Sequence, residues 1–262
     1  MKILGINAFH ADSSACILID GEIICAIEEE RLTRIKHWAG FPKLSIDSCL
    51  KQANIVIEEV DYIAINRDPN AHIFEKVNFA IRKKPSLKNI INRVRSRKND
   101  HNIVDLISNH FNVESKFIDK KIFKVEHHLA HLASTFYTSK YEDAVTLSID
   151  GFGDFVSTMW GTVENDKIII DDYVSFPDSL GMFYQAITQF LGFYNYGDEY
   201  KIMGMAGYGS PIFKNEMDKI ISCVDQGKFK LGLDYFVHQS EGVSMDFATG
   251  YPNIGTLFSK NL

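Results

Sequence analysis

Residues 2–27 read KILGINAFHADSSACILIDGEIICAI, and this stretch decides the fold. Lys2 to Asn7 is an apolar run of strand length, and Phe9 to Ser14 is short, polar and loop-like. Ala15 to Ile19 and Glu22 to Ile27 are two further apolar runs. Asp20-Gly21 joins them, a dipeptide that accepts the positive φ angles of a two-residue hairpin turn. The predicted order is strand, loop, β-hairpin. Outward from it, Leu44, Ile46, Cys49, Leu50 and Ala53 recur at helical spacing within Lys43 to Asn54, and Tyr62 to Asn66 reads as a strand. Glu126 to Tyr137 reads as a helix and Ala144 to Asp150 as a strand. Thr158 to Thr162 and Lys167 to Ile170 read as strands around an Asn165-Asp166 turn, and Gly181 to Phe193 as a helix. The opening order thus recurs after about residue 144. That predicts an α/β chain of two related lobes, 1–140 and 141–262, without a residue-level repeat. Asn253 to Leu262 offers no closing element, so the second lobe is expected to be incomplete.

The 262 residues carry a net charge of −6, so no overall basic field draws the chain to nucleic acid or an anionic membrane. The basic run from Arg82 to Lys98 lacks aromatics for base stacking and reads as a solvated helical insertion. No signal peptide is evident, and no apolar stretch approaches the roughly 20 residues that cross a bilayer, so a cytoplasmic location is expected. Cys16, Cys25, Cys49 and Cys223 form no C-x-x-C pair and read as reduced core residues.

Chemistry concentrates in a few short motifs. In Glu126-His127-His128-Leu129-Ala130-His131, His127 and His131 project from one helix face, a spacing at which two imidazoles share a divalent metal. Chance histidines satisfied by local hydrogen bonds are the competing account. In Ser148-Ile149-Asp150-Gly151-Phe152-Gly153-Asp154 a strand presents an acid, and Gly151 and Gly153 leave backbone N–H groups open to a phosphate; a plain strand-ending turn is the alternative. Gly5 to Ala15, a strand feeding a small-residue loop before the hairpin, can host phosphate or substrate groups, and His10 is a candidate proton acceptor. Glu28 to His37 reads as a solvated charged face. Glu199 to Gly209, with Lys201 and Gly204, reads as a close-packed, ligand-facing turn.

Taken in order, ILGINAFHADSSACILIDGEIICAIEEERLTRIKH, VEHHLAHLASTFY, LSIDGFGD and EYKIMGMAGYG resemble the O-carbamoyltransferase family of nodulation-factor and antibiotic carbamoyltransferases. The resemblance implies an actin-like (ribonuclease H-like) fold and a divalent metal, iron first, bound by His127, His131 and Asp150. It further implies His10 as general base and Lys36 beside carbamoyl-adenylate or the acceptor. Asn7, Asp12, Gly151, Gly153, Lys201 and Gly204 would line the substrate or nucleotide. Family enzymes make carbamoyl-adenylate from carbamoyl phosphate and ATP in a further C-terminal domain, then pass the carbamoyl group to a hydroxyl. This chain is expected to lack that domain and, alone, to be inactive. Its expected partners are carbamoyl-adenylate and a small-molecule acceptor, with no nucleic acid or membrane. Apolar surface where the absent domain docks would drive association into a homodimer. A tRNA threonylcarbamoyl transferase-like protein and a non-catalytic nucleotide- or metal-binding module are the alternatives.

Overall fold

The computed structural model describes residues 1–83, 103–243, 245–246 and 253–262. Strands β1 (Lys2–Asn7), β2 (Ser14–Ile19) and β3 (Glu22–Glu28) form the expected meander. The turn between β2 and β3 places Asp20 at φ 52° and Gly21 at φ 89°, as a two-residue hairpin requires. Helices α1 (Glu29–Thr33) and α2 (Lys43–Ala53) follow, and Asn54 closes α2 in the left-handed conformation. Then come β4 (Tyr62–Ile65), α3 (Ile73–Lys83), α4 (Ile103–Phe111), α5 (Ser115–Asp119) and β5 (Ile122–Lys124). The sheet order is β3-β2-β1-β4-β5; β2 is antiparallel to both neighbours, while β4 runs parallel to β1 and β5 to β4. This is the expected actin-like (ribonuclease H-like) order.

Contacts divide the chain into two units between residues 125 and 126, with 69–83 joining the second. In the first unit Leu4, Ile17, Ile46 and Ile63 are fully buried, and Ile107 and Ile118 pack with them. Each such side chain contributes about 1.5–3 kcal/mol on leaving water. Cys25 and Cys49 are buried and Cys16 half-buried. Cys223 departs from the expected core role. It is exposed at the end of the three-residue strand Ile221–Cys223.

Glu29 is the second departure. The run from Glu28 to His37 is not a uniformly solvated face, because Glu29 is only 2% exposed. Its carboxylate accepts from the Leu44 and Ser45 backbone N–H groups at 3.0 and 2.7 Å and from Ser45 Oγ at 2.7 Å. These N–H groups open α2, so Glu29 supplies the cap that Pro42 does not. Glu29→Ala is expected to cost about 3 kcal/mol, since buried donors lose their partner. A lower urea midpoint with an unchanged slope would register this; a shift smaller than that of the exposed Glu22→Ala would refute it.

In the second unit α6 (His127–Phe136) packs on β6 (Ala144–Gly153) and β7 (Val156–Glu164), and β8 (Lys167–Ser175) completes an antiparallel sheet of order β6-β7-β8. Helix α7 (Leu180–Phe190) packs on β6, and α8 (Glu199–Ala206) follows. Met182, Ala186, Ile220, Leu231, Phe236, Ile254 and Leu257 form its main apolar cluster. Strand β6 inverts the usual pattern. Val145, Leu147 and Ile149 are 77%, 55% and 52% exposed, whereas Thr146 and Ser148 are buried. The inward face is polar because α6 meets it with polar groups. Thr135 Oγ1 lies 3.3 Å from Thr146 Oγ1, and His128 Nδ1 lies 2.8 Å from Ser148 Oγ.

Among the described residues no helix is long and apolar enough to cross a membrane. The side chains of the basic run 82–98 lie outside the described residues.

Candidate metal centre

Glu126 initiates α6. Its side chain accepts from the Leu129 N–H at 2.6 Å, which fixes where the helix begins and therefore which face His127 and His131 share. Burial raises the Glu126 carboxyl pKa, but His72 and the helix N–H groups outweigh that and hold it below the ordinary carboxylate range. From β6, two-residue alternation points Asp150 to the same side as Ser148, toward α6.

Three atoms able to ligate a metal converge. His127 Nε2 lies 3.0 Å from Asp150 Oδ2 and 3.1 Å from His131 Nε2, and His131 Nε2 lies 3.7 Å from Asp150 Oδ2. A metal bonded at about 2.1 Å to each donor, with angles of about 90–110°, sets donors about 3.0–3.4 Å apart. The two shorter separations fall inside that range and the third just outside it, within the swing of a half-exposed His131 side chain. Desolvation raises the Asp150 pKa. Hydrogen bonds from His127, His131 and the Gly151 N–H overcome it and keep the carboxyl well below its ordinary range, in the anionic form that ligates metal.

The glycines also make room for close packing within the site. A Cβ on Gly153 would stand 2.1 and 2.2 Å from two carbons of the His127 ring, so the bare backbone there makes room for that ring. Gly151 faces the tip of Met182. Gly181, in the first turn of α7, packs against the Asp150 carbonyl, where a Cβ would stand at 2.6 Å. Ser179 caps α7 by accepting from the Met182 N–H at 3.0 Å and donates to the Gly151 carbonyl at 2.5 Å. Asp154, at φ 47°, accepts from the His127 backbone N–H at 3.0 Å. No role in the site is read from the sequence for Ser179, Gly181 or Asp154. Only Ser179 carries a signal, a serine placed just before an apolar helical run.

In the first unit the loop after β1 turns tightly, with Phe9 at φ 66° and Asp12 at φ 62°. Ser13 Oγ lies 3.1 Å from the His10 carbonyl and 2.8 Å from that of Gly40. Asn7 Nδ2 donates to the Asp12 carbonyl at 2.9 Å, and Asn66 Nδ2 donates to Asn7 Oδ1 at 3.1 Å. Asp12 Oδ1 and His37 Nδ1 lie 2.8 Å apart, and the His37 N–H donates to Glu30 Oε2 at 2.7 Å. The Asp12, Glu30 and His37 donor atoms lie within 4.8 Å of one another, and these bonds close one loop over the other. His10 is held half-buried at the centre of that loop, while Lys36 is exposed.

The expected glycine turn near residue 200 is a helix instead. Glu199–Ala206 is α8, and no Cβ on Gly204 would meet another atom within 4 Å. The local cause is composition: Glu, Lys, Met and Ala are strong helix formers and outweigh one glycine. Lys201 pairs with Asp198 at 2.7 Å.

A family model described as Carbamoyltransferase N-terminus matches residues 2–249. The chain is 33% identical to the uncharacterized protein sll1178 of Synechocystis over 93% of its own length and 40% of that protein's. It is also 33% identical to the nodulation protein NolNO of Sinorhizobium fredii, over 87% of this chain and 32% of that protein. It therefore spans about two-fifths or less of these relatives. YeaZ from Pseudomonas aeruginosa is similar in structure with a TM-score of 0.34 and 15% identity, over 68% of each chain.

Proposed function

The chain belongs to the carbamoyltransferase N-terminus family, and from that premise we propose that it carries the acceptor-side chemistry of an enzyme that moves a carbamoyl group from carbamoyl-adenylate to a hydroxyl of a small molecule or sugar. The observation that carries the reading is the convergence of His127, His131 and Asp150. Two imidazoles and a carboxylate with open positions are the donor set of non-haem iron(II), which favours iron over other divalent ions. When bound, such an ion supplies positive charge to the phosphate and carbonyl oxygens of the mixed anhydride.

The remaining work falls to side chains. The acceptor oxygen bonds to the carbamoyl carbon, the bond from that carbon to the phosphate oxygen breaks, and AMP leaves with the electron pair. His10 takes the hydroxyl proton, because an alcohol is a poor nucleophile until it is deprotonated. The bonds around Ser13, Asn7 and Asp12 brace the loop and limit the motion of the His10 backbone. Lys36 and Lys201 are reserved in this reading for anionic groups of the donor.

The test joins this chain to the adenylate-forming domain of a family member and follows two half-reactions. His10→Ala is expected to slow carbamoyl transfer about 100-fold, while pyrophosphate release from ATP and carbamoyl phosphate stays unchanged. An equal loss of both half-reactions would remove His10 from this role.

A further inference from the structure

We propose that His128 is a positioning residue for the metal centre: through Ser148 and Val156 it fixes the distance between the helix bearing His127 and His131 and the strand bearing Asp150. The inference rests on the metal reading of those three residues and assigns a fourth histidine-linked pair to the same site.

His128 is 0% exposed, and a buried imidazole is costly unless both nitrogens are paired. Nε2 lies 2.9 Å from the Val156 carbonyl oxygen, which only accepts, so Nε2 carries the proton. In the neutral ring Nδ1 is then the acceptor, and Ser148 Oγ at 2.8 Å donates to it. Every polar atom has one role, so only one depth of α6 over β6 satisfies the set. Leucine at 128 and alanine at 148 would fill the same space with no such requirement; what the hydrogen bonds add is registry.

That registry is set beside the ligands. His128 is adjacent to His127 and three residues before His131, and Ser148 lies two residues before Asp150 on the same face of β6. The His128–Ser148 bond therefore runs beside the His127–Asp150 contact, between the same two elements. The Thr135–Thr146 contact, at 3.3 Å, joins those elements farther along and provides an internal control.

Cobalt(II) titration of the whole chain, followed by the visible absorption of the bound ion, tests the proposal. Ser148→Ala is expected to weaken cobalt binding about 10- to 100-fold and to change the band shape. Ser148→Thr, which keeps the hydroxyl, recovers most of the affinity. Thr146→Ala is expected to leave affinity within about 3-fold, although both alanine variants lower the melting temperature of the metal-free chain. Unchanged affinity in Ser148→Ala, or equal loss in Thr146→Ala, overturns the positioning role while the metal reading stands. A wild-type chain that takes up no cobalt overturns both.

Discussion

Gly153→Ala is expected to leave the chain unable to hold a metal ion, although the substitution adds one methyl group and removes no ligand. The new Cβ would stand 2.1 Å from His127 Cγ, 2.2 Å from Cδ2 and 2.7 Å from Cβ. Those atoms belong to the rigid base of the ring, so no rotation of a flexible tip relieves the clash. The His127 backbone is itself tied to Asp154 at 3.0 Å, which keeps the helix from drifting away. Overpacking of this kind costs about 1–3 kcal/mol, and the ring must leave the position in which its Nε2 meets Asp150. Elemental analysis of anaerobically purified protein should find about one ion per chain in the wild type and under about a tenth of that in the variant. Gly151→Ala is the matched control. Its Cβ would meet only the mobile end of Met182, at 2.9 Å, so metal content should hold. Metal retained in Gly153→Ala would show that His127 is not the ligand its packing implies.

His131→Ala is expected to lose the metal with almost no change in folding. The His131 side chain is 47% exposed and bears little of the core, so its stability cost should stay within about 0.5 kcal/mol. His127→Ala should lose the metal as well, but with a lower unfolding midpoint, since that side chain is 10% exposed. Metal binding and thermal unfolding measured on both variants separate ligation from packing. Full metal stoichiometry in either variant would sink the three-ligand assignment.

The parts of this molecule legible in its sequence are those governed by local rules. Asp20-Gly21 announced the hairpin because few dipeptides accept two positive φ angles in succession. The i, i+4 spacing of His127 and His131 was enough to place both on one helix face, since helical geometry fixes that relation. What stayed hidden depends on partners distant in the chain. Glu29 sits in a run of charges and looks solvated until residues 44 and 45 bring their N–H groups to it. The reason for Gly153 is a ring 26 residues earlier. The polar inner face of β6 inverts the pattern by which strands are recognised, because the helix opposite is itself polar there. At residues 199–206 the helix formers around Gly204 decide the local structure, and the glycines that follow at 207 and 209 suggest a turn.

The two histidines are not equivalent, and the difference bears on kinetics. His127 is wedged by Gly153 and anchored through Asp154, whereas His131 reaches the same point from a half-exposed position. An ion held between them would sit on a fixed seat, His127 with Asp150, under a latch that swings on the timescale of surface rotamers. A chelator should then strip the ion at a rate set by breaking the bond to the latch, with no dependence on denaturant well below the unfolding transition. The same latch would let metal enter a chain that is already folded, so loading need not accompany synthesis.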